Sequence, residues 1–134
     1  VRSQLFQVGE AIPVQYFITT IAPDFFGNPV TRNDWFGHYA EWAGFIGIWP
    51  MALVLYAINK KNPTTIFFGL LGVLSLVLAA NTPFSNILVS LKIPVISTSA
   101  LSRIIVLFSF AAAVLSGIGL DQLREDMEKE NQLY

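Results

Sequence analysis

Hydrophobic positions in this chain run in long blocks instead of alternating with polar ones. Ala40 to Ile58 reads AEWAGFIGIWPMALVLYAI and stops at Asn59-Lys60-Lys61-Asn62-Pro63. Thr64 to Ala80 reads TTIFFGLLGVLSLVLAA and stops at Asn81-Thr82-Pro83, and Leu101 to Leu120 reads LSRIIVLFSFAAAVLSGIGL and runs into Asp121. None carries the polar stripe at a 3.6-residue period that a half-buried soluble helix shows. Each approaches the roughly 20 residues a helix needs to cross the hydrocarbon core of a bilayer. The pattern predicts an all-α integral membrane protein with transmembrane helices at 40–58, 64–80 and 101–120. Pro50 predicts a kink in the first of them, because it removes a backbone donor.

Shorter signals lie between the spans. Pro13 can open a helix over Val14 to Ile21, which Pro23 would close. Phe84, Ile87, Leu88 and Leu91 fall at i, i+3, i+4 and i+7, opposite Ser85, Asn86, Ser90 and Lys92. That spacing predicts a short amphipathic helix on the membrane surface, ended by Pro94. Ser97-Thr98-Ser99 then offers oxygens to cap the third span. Trp35, Phe36, His38, Tyr39 and Trp42 cluster where the first span meets the headgroups, as an aromatic belt does.

Composition sharpens this picture. Apolar residues make up 54% of the 134 residues and charged ones 13%, against the roughly 25% charged of ordinary globular domains. Seven of the seventeen charges fall in the last fourteen residues, and 42–59, 62–91 and 104–120 hold none. A net charge of −1 without cysteine excludes nucleic-acid binding and a disulfide scaffold. Lys60 and Lys61 in the shortest loop place 59–63 and the charged tail 121–134 in the cytoplasm. Segments 1–39 and 81–100 are then external. The chain opens at Val1 without a cleavable signal, so we expect an internal piece of a larger protein of the bacterial cell membrane. Its partners would be membrane lipids and the remaining transmembrane helices of that protein.

Candidate chemistry is sparse. The sequence holds no metal-ligand cluster, no nucleophile with a base and no phosphate loop, so no cofactor is expected in this chain. Metal dependence of the larger protein stays open. His38 is the sole histidine, and either a hydrogen-bonded structural group or a ligand contact. Glu41 either complements a helix N-terminus or binds a sugar hydroxyl at the membrane surface. Arg103 either snorkels to set helix height or holds a phosphate at headgroup depth. Small residues four apart, at Ala40/Gly44, Ala112/Ser116 and Ala113/Gly117, permit close helix contacts. Glu125 and Lys129 are spaced for an ion pair in the tail. A transporter or flippase would place ionisable groups near the midplane, where only Ser75, Ser109 and Ser116 stand. A structural membrane module without catalysis is the other alternative.

The ordered set PDFFGNP (23–29), HYAEWAGFIGIWPMALVLYAI (38–58), FFGLLGVLSLVLAANTP (67–83) and SRIIVLFSFAAAVLSGIGLDQL (102–123) resembles the YfhO-type bacterial multi-pass membrane proteins over nearly the whole chain. One departure is Phe45-Ile46-Gly47 where that family carries a tyrosine. The resemblance implies a member of the glycosyltransferase C superfamily, which moves sugar from a polyprenyl-phosphate carrier to a cell-envelope polymer such as teichoic acid. It implies Glu41 of Tyr39-Ala40-Glu41 and Arg103 as substrate and phosphate contacts, with His38 and Tyr39 beside them. It also implies that the catalytic acidic loop lies upstream, so this piece alone would be inactive.

Overall fold

The computed structural model describes residues 11–33, 35–36, 38–91 and 101–132. Among them every regular element is helical. A 3₁₀ helix covers Val14–Thr20, followed by α1 (Ile48–Asn59), α2 (Pro63–Ala79) and α3 (Pro83–Ser90). A 3₁₀ turn at Leu101–Ile104 leads directly into α4 (Ile105–Asn131). The all-α class is as expected from the apolar blocks. One helix, Leu101–Asn131 with its leading turn, is long and apolar enough to cross a membrane. At 1.5 Å per residue, the twelve residues of α1 span about 18 Å and the seventeen of α2 about 25 Å.

α4 is the central helix, with α1 and α2 packed on it and touching each other little. Of its buried positions Ile105, Ala111, Ala112, Leu115, Gly119 and Gln122, the run from Ala112 to Gln122 steps by three, four and three residues, with Ile105 seven residues before Ala112 on the same face. That seam suits near-parallel helix packing. α1 runs parallel to α4 at one offset: Ser116 Oγ donates to the Pro50 carbonyl at 3.0 Å and Lys60 meets Asp126, each 66 residues apart. α2 runs antiparallel, with Gly72 against Ala111 and Ala79 clustered with Ile105.

Gly119 sets the α1–α4 distance. A Cβ placed there would sit 2.1 Å from the Leu53 carbonyl oxygen, so the two backbones approach as only glycine permits. Gly119→Ala is expected to lower stability by about 1–3 kcal/mol through overpacking, read from the midpoint of an unfolding titration in mixed micelles. Gly117→Ala, which meets nothing within 4 Å, serves as the control and should leave the midpoint in place. The Ala112/Ser116 pair therefore lies at a helix contact, whereas Ala113/Gly117 faces outward.

The first span differs from expectation. Residues 43–47 form no regular element, and the helix starts at Ile48, eight residues after the predicted start. Gly47 adopts φ +100, which no helix residue does, and Gly44 is pinned between Ile105 and Thr20. Pro50 is the third residue of α1, where the missing N–H costs no hydrogen bond, so it starts the helix and does not kink it.

Residues 11–42 fold over the end of α2 and α4. Ile12 is tied to α2 by hydrogen bonds with the Ala79 carbonyl and the Asn81 N–H, both 2.8 Å. Tyr16, 2% exposed, lies at the centre of an aromatic cluster with Phe26, Phe36 and Trp42 at centroid distances of 5.5, 5.4 and 5.1 Å. Trp42 is thus a core residue at 4% exposure, not a belt residue, while Trp35 is exposed. In α3, Ser85 turns inward and donates to the Ala80 and Thr82 carbonyls, leaving Phe84, Ile87 and Leu91 outward as the interfacial reading requires. Pro94, the Ser97-Thr98-Ser99 cap and the Leu88 side chain lie outside the described residues.

Candidate functional site

The fold brings two of the sequence candidates to one place. Because α1 begins only at Ile48, the N-terminal part of α4 has no α1 beside it. The space left is a groove of about 390 Å³ lined by Ala40, Glu41, Ala43, Arg103, Ile105, Val106 and Ser109. Glu41 reaches it from the turn that follows His38, whose carbonyl accepts the N–H groups of Glu41 and Trp42. Arg103 reaches it from the 3₁₀ turn ahead of α4, where buried Leu101 and Ser102 anchor the backbone.

The two charges are not paired with each other. Glu41 Oε2 lies 3.4 Å from His38 Nδ1, in an exposed contact. Arg103 makes no hydrogen bond or ion pair among the described residues, so its five donors are available to a ligand. His38 stacks on buried Trp42 at 4.5 Å, which fixes its ring beside the groove instead of in it. Tyr39 donates to Asp24 Oδ1 at 2.8 Å and holds the Pro23–Pro29 turn against residues 38–42. His38 and Tyr39 thus support the groove wall, while Glu41 and Arg103 line it. Ser109 also lines it, a residue the sequence marks only as a mid-span serine. Among the described residues no three His, Asp or Glu side chains come together in a metal-binding group.

A second polar cluster closes the opposite end of the bundle. Asp126 of α4 accepts from Lys60 Nζ at 2.7 Å through one oxygen and from the Tyr56 hydroxyl at 2.6 Å through the other. Lys60 and Tyr56 together hold the Asp126 carboxyl below its ordinary value, and Asp126 raises Lys60 above its own. The sign follows from linkage. The Asp126 contribution is complete above its unfolded value of about 4 and is lost as pH falls through the lower folded value. The Lys60 contribution is complete below about pH 10 and is lost only above that. The clasp should therefore hold from about pH 4 to about pH 10. The Asp126 carboxyl resonance followed by NMR should titrate below the ordinary aspartate value, and Lys60→Met should return it upward. In the tail, the observed i,i+4 pair is Arg124–Glu128 at 3.0 Å, one residue before the expected Glu125–Lys129.

No protein-family model, curated protein or solved structure matches the chain. The likeness to YfhO-type proteins rests on the motifs quoted above alone.

Proposed function

We propose that this chain is a membrane-embedded module of a larger bacterial glycosyltransferase-like protein. In this reading α2, α4 and a first span made of residues 43–47 together with α1 all cross the bilayer, and the groove holds the phosphate end of a polyprenyl-phosphate-linked sugar at the outer face. The observation that carries it is the meeting of Arg103 and Glu41, 62 residues apart, in one groove. A guanidinium without a partner among the described residues, at headgroup depth, suits a phosphate oxyanion. A carboxylate on the facing wall suits sugar hydroxyls.

The inverted polarity of the helices supports the membrane part. Ile66, Phe67, Leu70, Val73 and Leu74 of α2 and Leu107 and Phe110 of α4 face outward away from the groove, while Thr65, Ser75 and Gln122 are buried. Exposed apolar surface on this scale has no place in water. The outward faces carry Gly69 and Gly117 with nothing within 4 Å. The remaining helices of the larger protein would pack there.

An isoprenyl monophosphate added to the chain in phosphatidylcholine nanodiscs, followed by ³¹P NMR, tests the phosphate reading. A saturable shift at low lipid mole fraction is expected. A shift no different from that in empty nanodiscs would overturn it.

A further inference from the structure

The break in the first span lies deep within the apolar thickness of the bundle. The 66-residue offset between α1 and α4 sets Ile48 level with Val114. Val114 stands about 17 Å along α4 from Arg103 and about 10 Å from Asp121, at 1.5 Å per residue. Glu41 shares the groove with Arg103, so residues 42–48 descend most of that distance, with 43–47 outside any regular element. At about 3.3 Å per residue their full reach of about 20 Å covers the drop.

Irregular backbone at that depth must find hydrogen-bond partners. The backbone N–H and C=O groups of residues 43–46 find none among the described residues. The Gly47 carbonyl accepts only the Met51 N–H, at 3.1 Å. Hydrocarbon cannot satisfy these groups, and neither can the backbone of a neighbouring helix, already paired within itself. Water can, and irregular backbone at membrane depth is otherwise found lining water-filled cavities. The groove of about 390 Å³ takes Ala43, the first residue of this segment, into its wall, with Glu41, Arg103 and Ser109 beside it.

We propose that the groove is an aqueous vestibule, open to the outer face and continuing along the irregular segment to Gly47. It admits hydroxyl-rich groups, such as the sugar portion of a solute, whose hydroxyls can both donate to and accept from the exposed backbone. Acyl chains are excluded from it. This inference does not depend on phosphate binding at Arg103, and the two fail separately: a wet groove without phosphate affinity leaves it standing.

The chain has no native cysteine, which makes single-cysteine accessibility direct. Ala43→Cys and Ser109→Cys are placed in the groove, Thr31→Cys in the outer loop, and Leu74→Cys on the outward face of α2 at the depth of Ser109. Each chain is reconstituted in phosphatidylcholine vesicles and treated with a charged, membrane-impermeant thiol reagent. Only thiolate reacts, and it forms in water but not in hydrocarbon. The groove cysteines are expected to react within about tenfold of Thr31→Cys and from the same face, with Leu74→Cys at least about a hundredfold slower. If Ser109→Cys does not insert, Val106→Cys reads the same wall. Groove cysteines as slow as Leu74→Cys would overturn the vestibule and mark the groove as lipid-filled.

Discussion

Arg103→Glu is expected to abolish binding of an isoprenyl monophosphate while leaving membrane insertion unchanged. Hydrogen bonds to a charged group contribute about 1.5–3 kcal/mol, which corresponds to about a ten- to hundredfold loss on truncation to alanine. Charge reversal adds repulsion between the new carboxylate and the phosphate, with Glu41 already on the facing wall. Because Arg103 is exposed and makes no hydrogen bond or ion pair among the described residues, its removal orphans no internal group there. Stability should therefore change little, and the loss belongs to the ligand. Arg103→Lys should keep the charge but lose the bidentate fork, giving an intermediate affinity. Binding by Arg103→Glu equal to that of the native chain would remove the phosphate role. In the larger protein, normal sugar transfer by the same variant would do so as well.

Tyr16→Ala is expected to be the most destabilising single substitution in the cap over the ends of α2 and α4, at about 3–5 kcal/mol. Tyr16 is 2% exposed and touches Phe26, Phe36 and Trp42, two of them edge-on. Its removal leaves a ring-sized cavity under the turn that presents Glu41. The groove wall should loosen together with the cap. Tyr16→Phe keeps the ring and should retain most of the stability. Unfolding followed by tryptophan fluorescence reads this locally, since Trp42 sits in the cluster. An unchanged unfolding midpoint for Tyr16→Ala would show that the cluster does not hold the cap.

The apolar runs made much of this architecture legible. The second block was expected at 64–80 and the helix observed is Pro63–Ala79; the third was expected at 101–120, and there a 3₁₀ turn from Leu101 leads into α4, which runs on to Asn131. Pro13 and Pro23 bracketed the Val14–Thr20 helix correctly, to within a residue. The first block misled because apolarity reports depth and not backbone conformation. Gly44, Gly47 and Pro50 at three-residue spacing were the signal for an irregular entry and a late helix start, since glycine tolerates φ +100 and proline suits a first turn. Glu41 and Arg103 stood out singly by position. Their meeting in one groove depends on the unwound segment and could not be read from either. The Tyr56–Lys60–Asp126 clasp was invisible for a simpler reason: its partners lie 66 and 70 residues apart and carry no local pattern.

The phosphate site and the vestibule both require the first span, α2 and α4 to cross a bilayer together, and opposite-face labelling tests that most directly. Single cysteines at Thr31, Lys61 and Glu130 are placed in the cysteine-free chain, reconstituted in sealed vesicles, and treated with impermeant reagent before and after lysis. Three crossings predict that Thr31→Cys reacts from one face only, and that Lys61→Cys and Glu130→Cys react only from the other. Reaction of all three from the same face would contradict the membrane-spanning bundle, and with it the outer-face groove.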